Sequence, residues 1–109
     1  MNVRLYIWQR LTAAIMVPLI IVHLAVIFYA SRRGFSAADI LSRTQGSVAW
    51  AAFYAIFVFA ASIHTAIGIR NILAEWVPLK DRPAGISAIA FGLLLAVLGI
   101  RAVVAVVLP

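Results

Sequence analysis

Three long apolar runs fix what this 109-residue chain can fold into. The first goes from Leu11 to Ala30, between Arg10 and the string Ser31-Arg32-Arg33-Gly34. The second goes from Val48 to Ile69, where Arg70 closes it, and its span is drawn to about residue 73. The third goes from Ala84 to Leu108 and is broken only by Arg101. Each reaches the roughly 20 residues a helix needs to cross a ~30 Å hydrocarbon layer. In hydrocarbon every backbone N–H and C=O must be satisfied within its own segment, so such runs become helices. The expected fold is therefore all-α: one integral membrane domain over residues 1–109, with spans at about 11–30, 48–73 and 84–108.

Composition closes off the soluble alternative. Hydrophobic residues make up 66% of the chain and charged residues 11%, against about 25% charged in an ordinary soluble domain. The chain has no cysteine, which excludes disulfides, thiolate metal sites, iron–sulfur ligation and cysteine nucleophiles. The net charge of +6 does not point to nucleic acid, because the basic residues stand at the ends of apolar runs, where they anchor helices among headgroups. The first run is longer than the 7–15 apolar residues of a secretory signal and precedes two arginines, so it reads as an uncleaved span.

The connections are short. Ser36 followed by Asp39 forms an N-cap signature with an acidic partner, which predicts a short interfacial helix between spans 1 and 2. Pro78 is expected to end the second helix and Pro83 to help start the third. Pro18 lies inside the first span and predicts a kink there. Arg4, Arg10, Arg70, Lys80 and Arg82 fall on one side of the membrane and Arg32, Arg33 and Arg43 on the other. That excess sets the N-terminus inside and the C-terminus outside.

Ionisable residues at membrane depth are functional candidates, and His23, His64 and Arg101 qualify. His64 has Ser62, Thr65 and Gly68 for neighbours, and Gly68 lies about 40° around the helix from it. A glycine there lets a flat macrocycle or a second helix approach. His64 either hydrogen-bonds a neighbouring helix or serves as an axial ligand of haem iron. His23 is about 20 Å from the inner surface and His64 about 10 Å, at 1.5 Å per residue. Two axial nitrogens must lie only about 4 Å apart, given metal–imidazole bonds of about 2 Å, so both histidines of one chain cannot hold one iron. His23 is either structural or a ligand with a separate partner. Arg101 snorkels to the outer surface or contacts a cofactor or lipid group. Ala88, Gly92 and Ala96 form a small-residue strip that signals helix packing. Polar and aromatic residues gather at the inner end: Trp8, Gln9, Arg10, Thr12, Arg70, Asn71, Glu75 and Trp76. An interfacial belt accounts for the tryptophans. Asn71, seven residues from His64 and on the same face, would meet the polar edge of a macrocycle bound there.

The string His64-Thr65-Ala66-Ile67-Gly68-Ile69-Arg70-Asn71-Ile72-Leu73-Ala74-Glu75-Trp76 resembles the second-helix pattern of the cytochrome b membrane-anchor subunits of succinate dehydrogenase and fumarate reductase. Gln9-Arg10-Leu11-Thr12-Ala13 is similar to that family's first-helix entry. The resemblance implies a haem b with His64 as axial ligand, shared with a second membrane-anchor subunit. It puts Arg10 near the propionates and the quinone, and groups Asn71, Gly68 and Arg70 around the cofactor. It gives the quinone site to Arg10, Thr12, Glu75 and Trp76. Trp76 stands where some members have a tyrosine, and an indole N–H donates a hydrogen bond but accepts none. Asn71 stands where some have a histidine. Some members hold two haems at different depths, and His23 with His64 fits one such half, so one or two haems are implied. The resemblance also implies soluble iron–sulfur and flavoprotein partners of a respiratory complex, and the cytoplasmic membrane of a bacterium or archaeon. The chain itself would be a non-catalytic anchor of an oxidoreductase. Other readings are a stand-alone dimeric haem b electron carrier and a small oligomeric transporter. The transporter reading calls for four spans and an intramembrane carboxylate, and the sequence offers neither.

Overall fold

In a computed structural model the described residues form four helices: α1 (Val3–Arg32), α2 (Ala37–Thr44), α3 (Val48–Trp76) and α4 (Asp81–Val107). The structure describes residues 3–77 and 80–108, so the expected role of Pro78 lies outside the described residues. α1, α3 and α4 are long and apolar enough to cross a membrane, and the bundle measures 48 × 23 × 23 Å. Its long axis suits a bilayer of about 40–45 Å including headgroups.

The helices outrun their apolar stretches. α1 begins two turns before Leu11, so Gln9, Arg10 and Thr12 occupy defined helical positions. It continues through Pro18. Its end is a Schellman motif: Phe35 N–H donates to Ala30 O (3.1 Å) and Gly34 N–H to Ser31 O (3.4 Å). Gly34 takes the left-handed C′ position at φ +95°, which costs a glycine little. α2 forms where the Ser36–Asp39 signature predicts it, with the Ser36 hydroxyl accepting from Asp39 N–H at 3.0 Å. The Asp39 carboxylate binds Arg33 Nε and an Arg43 guanidinium nitrogen, each at 2.8 Å. Ser47 caps α3 by accepting from Trp50 N–H. Pro83 falls in the first turn of α4, where a missing N–H is tolerated.

α3 is the central element. It packs against both α1 and α4, α2 touches the C-terminal end of α4, and α1 and α4 barely meet. The α3–α4 contact is made of small residues. Ala84 and Ala88 are buried, and a Cβ on Gly92 would lie 3.0 Å from Ala66 Cβ. At Gly99 it would lie 2.6 Å from a Val58 methyl. The close strip thus includes Ala84, Ala88, Gly92 and Gly99, and Ala96, expected within it, is half-buried like Gly99. Thr44 Oγ1 donates to Val106 O (2.7 Å) and Gly46 N–H to Val107 O (2.7 Å). These bonds satisfy carbonyls that the last turn of α4 would leave orphaned.

Large apolar side chains face outward: Ile21 is 62% exposed, Phe28 61% and Leu93 62%. Water does not tolerate such a surface over a whole molecule, and hydrocarbon does. With three spanning helices turned inside out in this way, the chain is an integral multi-pass membrane protein.

Candidate functional site

The α1–α3 contact near the N-terminal end of α1 brings together two residues that are distant in sequence. Thr12 is 2% exposed, and its Oγ1 lies 3.3 Å from His64 Nδ1. The same oxygen is 2.8 Å from Trp8 O and 3.1 Å from Gln9 O. A threonine hydroxyl has one proton and two lone pairs. The nearer carbonyl of its own helix takes the proton, a bond common for threonine inside helices. With its proton on that carbonyl, Thr12 can meet His64 only as an acceptor, and the pair then forms when the imidazole carries its proton on Nδ1. The lone pair of Nε2 is then free for a metal or another donor.

One turn toward the C-terminal end of α3, a Cβ on Gly68 would lie 3.5 Å from the Gln9 side-chain nitrogen. Of the two approaches Gly68 allows, α1 makes one, with the Gln9 amide lying over it. Gln9 Oε1 is buried and has no hydrogen-bond partner among the described residues. Arg70 and Asn71 are half-buried on the same helix. Arg10 is exposed, with its guanidinium 5.7 Å from the Tyr6 ring centre. Glu75 is exposed and Trp76 82% exposed. No ion pair joins Arg10 or Arg70 to Glu75 among the described residues; Asp39 takes both salt bridges.

His23 belongs to a different neighbourhood. Its ring meets Tyr54 (5.8 Å, 89°) and Phe57 (5.5 Å, 88°) edge-on. Along α1 it is eleven residues beyond Thr12, hence about 16 Å from the level of His64. The separation is wider than the depth count from sequence and keeps the two histidines from sharing one iron. No three His, Asp or Glu side chains converge as a metal site among the described residues. Arg101 is exposed on α4.

Comparison with known proteins decides the family. A family model described as succinate dehydrogenase/fumarate reductase transmembrane subunit matches residues 1–108. The chain belongs to that family. No curated protein and no solved structure matches it. Membership makes it a membrane subunit of the succinate dehydrogenase/fumarate reductase type, in keeping with the motif around His64. Sequence reasoning grouped Thr12 with the quinone rather than with His64, and assigned no role to Gln9, Ser62 or Tyr54. The signal for Thr12 is its place two residues after Arg10 in the entry string, which says that it matters without saying to whom.

Proposed function

We propose that this chain is the haem b-binding membrane anchor of a succinate:quinone oxidoreductase-type complex. In this reading electrons pass between soluble flavin and iron–sulfur subunits and a membrane quinone. The observation that carries it is the 3.3 Å contact between Thr12 Oγ1 and His64 Nδ1. Histidines that bind metal usually give their other N–H to a fixed acceptor, which sets tautomer and ring orientation. Thr12 supplies that acceptor inside a membrane span. The residues present thus fit a haem at His64: Nε2 would hold the iron, and a second anchor subunit would supply the opposite ligand. Haem b supplies one-electron storage when bound.

This chain's own residues do the rest. Thr12 holds the His64 ring, and Gln9 offers the unsatisfied Oε1 beside it. Arg10, Arg70 and Asn71 lie toward the inner end, where positive charge favours propionates and a quinone gaining negative charge. Glu75 and Trp76 are exposed there, open to a quinone or a soluble subunit, and Trp76 can donate but not accept. The orientation follows the arginine and lysine excess, with both the N-terminus and the α3–α4 connection inside and α2 at the outer interface. No residue here performs chemistry on a dicarboxylic acid; that work lies with the soluble partners.

The test is a purified complex with haem quantified and reduced-minus-oxidised spectra recorded. A b-type signal is expected, lost in His64→Ala if there is one haem and reduced if there are two, together with flavin-containing partners. A wild-type complex without any b-type signal overturns the reading. Haem per chain in His23→Ala separates one haem from two.

A further inference from the structure

The proposed function leaves the short helix α2 without a role, and its place in the fold gives it one. α1 and α4 barely meet. At their C-terminal ends both are tied to α2 instead, through contacts of two different kinds.

On the α4 side the contacts are shielded. Thr44 is 5% exposed, and its Oγ1 lies 2.7 Å from Val106 O against 3.2 Å from Ile40 O in its own helix. The single hydroxyl proton thus goes to α4. Gly46 N–H donates to the neighbouring Val107 O. On the α1 side the contacts are ionic and open to solvent. Asp39 Oδ1 holds Arg33 Nε, and the Arg33 side chain is 54% exposed. Arg43, on α2 itself, binds the other carboxylate oxygen and lies 5.2 Å from the ring centre of Tyr29 on α1. Exposed ion pairs are weak and are screened by salt, whereas hydrogen bonds shielded from water are not.

The turn between α1 and α2 is strained. Gly34 and Phe35 both take left-handed φ, +95° and +55°. Glycine tolerates this, but phenylalanine does not, and such a residue persists only where its surroundings hold it. Arg33 and Asp39 bridge the turn from one side to the other, so release of that pair lets the strain relax. Packing adds little restraint here, because a gap of about 360 Å³ lies between α1 and α3, lined by Val22, Val26, Tyr29, Arg43 and Trp50.

We propose that α2 is a strap hinged on α4 and latched to α1, and that it opens at the Arg33–Asp39 pair. Opening releases the C-terminal end of α1 and relaxes Phe35, while Thr44 and Gly46 stay bonded to α4. Rising ionic strength favours the open form, since the latch is made of exposed charges and the hinge is not. The device does not depend on what is bound at His64.

Hydrogen–deuterium exchange of the whole complex in lipid nanodiscs separates latch from hinge. The Gly34 amide, bonded to Ser31 O, reports on the latch, and the Gly46 amide, bonded to Val107 O, on the hinge. Raising salt from about 0.01 M to about 1 M shortens the screening length from ~30 Å to ~3 Å. Protection at Gly34 should fall by up to about fivefold, the worth of one exposed ion pair, and protection at Gly46 should not change. Arg33→Gln should give the same fall at low salt and remove the salt dependence. Phe35→Asn, which suits left-handed φ, should raise protection at Gly34. Thr44→Val should lower protection at Gly46. Four results overturn the strap: no salt effect in the wild-type complex, a salt effect that persists in Arg33→Gln, loss of Gly46 protection together with Gly34 in Arg33→Gln, or lowered Gly34 protection in Phe35→Asn. The wild-type salt titration needs no substitution, so a variant that misfolds leaves the test standing.

Discussion

Thr12→Val separates the orienting role of the hydroxyl from the packing role of the side chain. Valine nearly matches threonine in shape at this buried position, so the seat of α1 on α3 is kept and the acceptor at 3.3 Å from His64 Nδ1 is removed. A neutral hydrogen bond contributes about 0.5–1.5 kcal/mol net. Loss of the partner of a metal-bound histidine typically weakens metal binding about 10–100-fold, which is about 1.4–2.8 kcal/mol. The two ranges meet near the lower end, so haem should be held about tenfold more weakly. The assay is transfer of haem from the purified complex to an apo-globin acceptor, followed by absorbance and normalised to flavin. Thr12→Ser keeps the oxygen and should retain near-normal haem affinity. A Thr12→Val complex that assembles fully and holds haem as well as wild type would refute the argument that Thr12 orients His64.

Other expectations concern the scaffold. Gly99→Ala puts a Cβ about 2.6–2.7 Å from both Val58 methyls; overpacking of this kind costs about 1–3 kcal/mol, against about 1 kcal/mol gained in helix propensity. Gly85→Ala meets nothing within 4 Å and should be neutral or stabilising by up to ~1 kcal/mol, so unfolding in mixed detergent micelles should separate the two variants. Gly46→Ala forces alanine to φ +76° at a cost of about 1–2 kcal/mol, and amide exchange should rise first at the C-terminal end of α4. Arg33, then Arg43, hold the Asp39 carboxyl below its ordinary value of 3.8. The folded form thus binds that proton more weakly than the unfolded one, so the stabilisation is complete above the ordinary value and is lost as pH falls through the lowered one. Amide protection of α2 should therefore be unchanged between pH 7 and 5, fall only in stronger acid, and be reduced at neutral pH by Asp39→Asn.

The spans could be read from sequence because run length alone specifies a membrane helix, and α2 because Ser36 and Asp39 stand at capping distance. The small-residue strip was partly legible: Ala88 and Gly92 belong to it, while Ala84 and Gly99 join it once the crossing of α3 and α4 is known. The pairing of Thr12 with His64 was not legible. α1 is apolar around most of its circumference, so no stripe tells which face meets α3, and register between antiparallel helices comes only from packing.

The unequal seams of the bundle carry a thermodynamic consequence. α3 and α4 interlock through residues too small to separate, whereas α1 meets α3 at the inner end through a threonine, a glutamine and an imidazole. The histidine pair partner thus comes from the helix that is less deeply interlocked. A ligand that favours the His64 proton on Nδ1 is bound more tightly by the form in which α1 is docked, so part of its binding free energy is also a docking free energy. Occupancy at His64 and the seating of the first span are then coupled: a loosely inserted α1 would weaken binding at His64, and a ligand bound there would help hold α1 in place.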